Sequence, residues 1–525
     1  MGPSKITTME EARKHRTYAL VILMLVYAFN FIDRRILSIL QTPIKEEFNL
    51  SDGQLGLLTG FLFALLYTVV GIPLARVADS TNRKTVITWS LTVWSGFTAI
   101  SGLVMNYWQL ALARMGVGVG EAGGSPPAHA IVSDLYEPEK RARALAIYSS
   151  GIYIGTLLGN VGGGWISDAF NWRTAFMVVG IPGILLAILM HFTMREPMRG
   201  LSGLKPSTEK VTFLQSFKHL WGLKSFRYFS VATGLGTFVT YGIGDWMVPF
   251  MERSHGMSRT EIGFTYGMIA GIAGAIGTIG GGMFADWLGK RDKRWQLWVP
   301  MWGKVIGGPI FIFGLITHEP WIALTCYGIG LVLAAAYLGP SLAVTHSLVP
   351  PGMRAMSSAV LFLILNIIGL GLGPLLVGQA SDFLNDASAC NLADQAVQLA
   401  KSCPRVEDVY TALQAAGATT AKTLSEADLS AAIANGFQMG DLAKDAGLHG
   451  NLAFSLRNAF PAVTGIGIGV DSLRWAMIAC VIFAYPFSIL WHLGAQALPK
   501  PTEIERDATE EALTRGDTQP GGKTS

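Results

Sequence analysis

The chain has 525 residues, half of them hydrophobic and only 14% charged, against about 25% charged in a soluble globular domain. That balance excludes an ordinary soluble enzyme, and 61 glycines without a period-three repeat exclude collagen and suit closely packed membrane helices. A net charge of +4 is small for this length, and nucleic acid is not expected as a partner.

Apolar runs of about 20 residues, the length that crosses a hydrocarbon core of about 30 Å, occur twelve times. The first, 17–41, carries Asp33, Arg34 and Arg35. It is longer than the apolar stretch of a secretory signal and lacks an evident small-residue cleavage site, so it reads as a transmembrane helix. Runs at 53–78, 84–105, 107–134, 142–167 and 174–194 complete an N-terminal half over 1–194. Residues 195–225 are a basic linker, in which Phe213, Phe217 and Leu220 form one face of a short helix expected on the membrane surface. The second half has runs at 226–251, 259–287, 296–317, 320–347 and 354–382, within 226–383. A twelfth run, 472–497, lies within 471–497 and precedes a tail over 498–525. Between the last two runs lies 384–470, rich in Ala, Asp, Leu and Gln and without a counterpart in the first half, read as an outer, periplasmic loop insertion. It contains Cys390 and Cys403 on the oxidising side, where a disulfide is expected and two free thiols are the alternative.

Lys and Arg give the orientation. With the N-terminus cytoplasmic, the inner tails and loops hold 26 of them and the short outer loops hold four, Lys45, Arg173, Arg253 and Arg259. The positive-inside rule then makes both termini cytoplasmic. The halves repeat one another: Asp79 and Asp286, Pro127 and Pro340, Arg143 and Arg354, and Asp168 and Asp382 recur at offsets of 207, 213, 211 and 214. The expected fold is an all-α polytopic membrane protein with twelve transmembrane helices in two pseudo-symmetric six-helix halves.

A charge at mid-membrane costs at least about 2.5–3.5 kcal/mol, so each needs a reason. Arg114 and Glu121 are two helical turns apart and face the same way. Gly116, Gly118 and Gly120 between them thin the helix for a close neighbour, and Pro126-Pro127 then kinks it. Burial of Glu121 favours the neutral acid while a nearby arginine favours the carboxylate, a competition suited to a proton carrier. The alternative is a static ion pair that holds helices together. Asp33 and Arg34 are about 100° apart around one helix, so one faces the pathway and the other a neighbouring helix. Arg34 suits a phosphate or carboxylate, or else it pairs with Asp33 or Glu121. Asp245 repeats Asp33 in the second half and is either an equivalent acid or a relic at the outer helix end. Near the offset of Glu121 the second half has only Ala334, Ala335 and Ala336, so the ionisable machinery belongs mainly to the first half. Lys304 reads as a snorkelling lysine and the Gly151, Gly155, Gly159, Gly163 ladder as a groove for close helix contact. No Cys/His cluster has metal-ligand spacing and no phosphate-cradling P-loop occurs, so neither metal, cofactor nor ATP is expected.

The loop motifs at Asp79 and Asp286, the Arg143 and Arg354 helix starts and Asn171-Trp172-Arg173 resemble the major facilitator superfamily. More narrowly, Asn30-Phe31-Ile32-Asp33-Arg34, Asp52-Gly53-Gln54-Leu55-Gly56, and Arg114 followed by Gly118, Gly120, Glu121 and Ala122 and then Ser133-Asp134-Leu135 resemble the Spinster family of lysophospholipid and sphingosine-1-phosphate transporters. The resemblance implies a bacterial homologue in the inner cell membrane, with Asp33 and Glu121 at proton-linked positions and Arg34 and Arg114 at head-group positions. It also implies gating loops at Asp79, Arg83, Asp286 and Arg291.

The polar candidates on the cavity side of helices seven, ten and eleven are few: Thr240, Tyr241, Asp245, Tyr337 and Asn366. An apolar cavity suits a lipid tail. The expected function is therefore a proton-coupled secondary transporter, acting as a monomer, that moves an amphiphilic anion or zwitterion such as a lysophospholipid by alternating access. The alternative is an organic-anion/proton symporter for a soluble carboxylate. A non-transporting receptor or lipid-scrambling scaffold is the reading from another class. No enzymatic activity is expected.

Overall fold

A computed structural model describes residues 6–199, 201, 212–350, 353–385 and 472–498. The calls on Cys390, Cys403 and nearly all of the 384–470 insertion lie outside them. The described helices group into rods at each of the twelve expected places. In the first half these are α1 (Met9–Ile39), α2 (Asp52–Gly56, Leu57–Phe61 and Leu62–Ser80), α3 (Arg83–Ser101), α4 (Tyr107–Glu121 and Ser125–Leu135), α5 (Pro138–Ser149 and Gly151–Ala169) and α6 (Trp172–Thr193). In the second they are α7 (Lys224–His255), α8 (Arg259–Gly289), α9 (Trp295–Ile316), α10 (Pro320–Ala334 and Leu338–Ser347), α11 (Arg354–Ile364 and Leu365–Gly371, running on to Asn385) and α12 (Ser472–Ala484, Tyr485–Ser488 and Ile489–Gln496). Eight of these are long and apolar enough to cross a membrane. The remaining four are α1, α3, α4 and α7, and three of those carry the charges singled out above.

Short polar residues start the rods. Asn82, Asn106, Asn171 and Ser258 each accept a hydrogen bond from a backbone N–H in the first turn of α3, α4, α6 and α8, and Ser51 with Gln54 closes a capping box on α2. The repeat survives at the breaks. The second segment of α4 opens with Pro126-Pro127, which need no N–H donor there, and α10 is interrupted at the corresponding place, just before Pro340.

The hydrophobic core divides unequally. At the end holding Leu40, Leu50, Trp172, Trp246, Met257 and Leu473, one cluster draws residues from both halves. Toward the opposite end there are two clusters: one gathers the first half around Leu23, Trp94 and Ile131 and takes only Leu370 and Tyr241 from the second, the other gathers the second half around Phe226, Leu297 and Trp491. The halves are thus joined at one end and separate at the other.

Backbone proximity carries the joint between halves. A Cβ on Gly60 of α2 would lie 2.7 Å from the Gly371 carbonyl oxygen of α11, at a wider-than-α turn in each helix. Gly263 of α8 similarly meets the Asn160 backbone of α5. The glycine ladder of α5 faces elsewhere: Gly151, Gly155, Gly159 and Gly163 all press on α1, inside the first half. The short linker helix, Phe213–Gly222, also differs from expectation. Leu220 is buried and Phe213 and Phe217 pack against the second-half cluster, so this face is turned into the protein rather than onto the membrane surface.

Candidate functional site

The first half supplies a buried charge cluster. Arg34 Nε donates to Glu121 Oε2 at 2.8 Å, and Glu121 is 1% exposed. The guanidinium lies within 5.2 Å of three ring centroids, Phe31 on its own helix and Phe63 and Tyr67 on α2, an arrangement that favours a desolvated cation. Arg114 also lies over the Phe63 ring, at 5.1 Å, and its Nη1 donates to the Asp33 carbonyl oxygen at 3.3 Å. Asp33 is 1% exposed and neither carboxylate oxygen accepts a hydrogen bond at normal distance. Arg34 is partly accessible while Asp33 is sealed. The adjacent pair therefore divides as its angular separation requires.

The glycines of α4 let its neighbours come close enough to close this cluster. A Cβ on Gly120 would lie 2.6 Å from the Trp94 nitrogen of α3, and one on Gly118 would lie 3.0 Å from the Phe63 carbonyl oxygen. Without them the aromatic floor under Arg34 and Arg114 would have to move.

A second buried pair joins the halves. Asp245 of α7 accepts from Arg35 Nη1 at 3.0 Å and from Ser38 Oγ at 3.4 Å, while its carbonyl oxygen accepts from Gln41 Nε2 at 3.2 Å. Asp245 is thus not a relic at a helix end. Arg35 was not among the candidates from sequence, although a carboxylate buried in a membrane helix calls for a cation and Arg35 was the arginine of the apolar run 17–41 left without a role. Tyr241 packs against the first-half cluster, whereas Tyr337 belongs to the second-half one. Asn366 lies in the widened turn of α11. Lys304 does not snorkel: its ammonium donates to the Gly236 carbonyl oxygen at 2.8 Å and to Thr240 Oγ1 at 3.0 Å, 5.5 Å from the Tyr337 ring centroid.

The joined end is laced with polar contacts between halves. Arg253 pairs with Asp52 at 2.8 Å and Ser381 donates to the same carboxylate. Asp382 at the end of α11 accepts from the backbone N–H groups of Asp52 and Gly53, capping α2. Its repeat partner Asp168, at the end of α5, accepts from Thr260 N and pairs with Arg259, capping α8. Thr42 also donates to Glu252. At the other end, ion pairs between described residues stay within one half. Arg83 Nη1 meets Asp134 at 2.6 Å, and its backbone N–H donates to Glu196. Asp286 accepts from Gln296, and Arg291 lies over the Trp287 ring. The side chain of Asp79 lies outside what is described.

Two helical halves joined at one end, with a buried charge cluster in the first half and a buried ion pair across the seam, have the architecture of a membrane carrier. The model of the Major Facilitator Superfamily matches residues 23–374. An MFS-type efflux pump of Mycolicibacterium smegmatis is 32% identical over 391 residues, covering 73% of this chain and 90% of that one. Protein spinster homolog 1 of Rattus norvegicus is 27% identical over 73% of this chain and 76% of its own. Among solved structures, a bacterial homologue to the human lysosomal transporter Spinster, in an inward-facing and unoccupied conformation, superimposes with a TM-score of 0.72 at 31% identity, covering 92% of this chain and 97% of that one. The chain belongs to the major facilitator superfamily and, within it, to the Spinster-like transporters. Its relatives are transporters, not enzymes.

Proposed function

We propose that the protein is a proton-coupled secondary transporter that moves an amphiphilic anion or zwitterion, of the lysophospholipid or sphingosine-1-phosphate kind, by alternating access. In this reading all twelve rods cross the inner cell membrane of a bacterium and the protein acts as a monomer. The excess of Lys and Arg puts both termini and the 195–225 linker in the cytoplasm. The end closed by Asp52, Asp168 and Asp245 then faces outward, and the cleft between halves opens to the cytoplasm.

The observation that carries this reading is the Arg34–Glu121 pair inside its aromatic cage. Arg34 cancels the charge of Glu121. A head-group phosphate or carboxylate that takes the guanidinium bidentately leaves Glu121 as an uncompensated buried carboxylate, which is relieved by taking up a proton. Substrate and proton thus meet at one arginine. Asp33, whose carboxylate lacks hydrogen bonds, is the second proton holder, and Arg114 is the second cation for the head group. Asp79, Arg83, Asp286 and Arg291 gate the cytoplasmic end in this account. A relative named as a sphingosine-1-phosphate transporter in Mus musculus, 26% identical over 389 residues, supports an amphiphilic cargo.

The competing cargo is a soluble carboxylate moved with a proton. Rings rather than converging polar groups surround Arg34, which weighs against it. Uptake of lysophosphatidylcholine, sphingosine-1-phosphate and gluconate into proteoliposomes under an imposed pH gradient separates the two. Gradient-dependent movement of an amphiphile is expected. Movement of gluconate alone, or transport indifferent to the gradient, overturns the proposal.

A further inference from the structure

Lys304 has no carboxylate partner among the described residues and lines a crevice in the second half, away from Arg34 and Glu121. The crevice lies between α7, α9 and α12, where α12 is interrupted at Tyr485–Ser488. Gly236 makes room for the lysine, since a Cβ there would lie 2.8 Å from Lys304 Cε, and Gly303, Gly307 and Gly308 leave the wall of α9 bare. Lys304 is the single charged group in the lining. An ammonium has three donors, and two are used, on Gly236 and Thr240.

Three features define what fits. The rim is formed by Tyr485 and Phe487, both exposed, and beside it Ile306, Ile482, Phe483 and Ile489 are exposed too. The mouth therefore opens on the apolar belt, and a visitor arrives from the bilayer with a hydrocarbon tail. The base carries one ionisable group, the amine of Lys304, so the complementary head is an acid. The crevice holds about 40 Å3, by a measure in which one water needs roughly 10–15 Å3. That admits a carboxylate and leaves the tail outside, along α12. We propose that this crevice is a lateral site for a free fatty acid, whose carboxylate binds Lys304 and whose chain lies across Tyr485 and Phe487. The site is independent of the transport reading, because it shares no residue with the Arg34–Glu121 cluster.

The test uses the full-length protein in phosphatidylcholine nanodiscs with a palmitate analogue carrying a photoactivatable diazirine, and maps labelled peptides by mass spectrometry. Labelling on α12 around residues 482–489 is expected, competed by palmitate but not by methyl palmitate or acetate. Lys304→Gln should lower it at least tenfold with an unchanged melting temperature. Gly308→Ala should lower it as well by narrowing the mouth, since a Cβ there would lie 3.0 Å from Tyr485 Cδ2 and 3.6 Å from Val481 Cγ1 on α12. Glu121→Gln should leave labelling unchanged. Undiminished labelling in Lys304→Gln, or equal competition by methyl palmitate, overturns the anion site. Competition by acetate as strong as by palmitate overturns the fatty acid as occupant, and loss of labelling in Glu121→Gln overturns its independence.

Discussion

Arg34 and Arg35 are neighbours on α1, yet they serve different partners. Arg34 pairs with Glu121 inside the first half, and Arg35 crosses to Asp245 in the second. About 100° of helix rotation separates them, enough to give one arginine to the enclosed cluster and the other to the seam between halves. The lesson is that a single helix can present both a binding charge and a latch, provided the two pairs are insulated. Here the insulation is the aromatic cage of Phe31, Phe63 and Tyr67 on one side and the apolar cluster around Ile32 and Ile36 on the other.

The sharpest way to break that contrast is to cut the latch. Removing one partner of a buried pair leaves an uncompensated charge and costs about 3–5 kcal/mol. Arg35→Ala is therefore expected to lower the melting temperature strongly and to expose cysteines placed at the Asp52 end to thiol reagents. Removing both partners, Arg35→Ala with Asp245→Ala, should recover part of the loss. A double variant no more stable than the single one would show that the pair is not what holds Asp245. The binding pair should respond differently. Arg34→Ala is expected to weaken binding of an amphiphilic anion by about 1.5–3 kcal/mol, the worth of a charge-assisted hydrogen bond, with little change in cysteine exposure. Equal effects of both arginines on both readouts would erase the distinction.

The smallest effect concerns the rim of the closed end. Glu47 accepts hydrogen bonds from Arg173 and Trp172 at 2.6 Å each, and the Arg173 bond holds its carboxyl below the usual carboxylate range. A depressed acid contributes stability above its unfolded titration range and loses it as the pH falls through the folded one. Glu47 is nearly half exposed, so the pair contributes under about 1 kcal/mol. Glu47→Gln should cost a small part of the melting temperature at pH 7 and progressively less on acidification below the ordinary carboxylate range. A constant difference across that range would assign the effect to the side chain's shape.

Much of this was legible in the sequence, because membrane helices must be long and apolar and their rare charges stand out. Hydropathy located the twelve rods, and Arg34, Arg114, Glu121 and Asp33 were singled out for being expensive where they are. The pairing was harder. Asp245 could be placed in the repeat but not joined to Arg35, since a register of one residue on α1 decides which arginine turns toward α7. Lys304 read as a lysine reaching for the interface, because a sequence does not reveal that Gly236 on another helix leaves a hollow for it. The face of Phe213, Phe217 and Leu220 was recognised, but a membrane surface and a protein surface make the same demand on it. Which end is closed was not legible at all, because one sequence serves both states of an alternating carrier.

The central claim is that substrate and proton bind opposite partners of one charged pair, the substrate on Arg34 and the proton on Glu121, and one measurement addresses it. In proteoliposomes loaded with the transported amphiphile, Glu121→Gln should still exchange unlabelled for labelled substrate at zero gradient, with affinity within about tenfold, a change of at most about 1.4 kcal/mol. Its uptake should no longer respond to an imposed pH gradient, which in the unmodified protein supplies about 1.36 kcal/mol per proton and pH unit. Accumulation that still follows the pH gradient in Glu121→Gln would contradict the account and return Glu121 to the role of a static partner of Arg34.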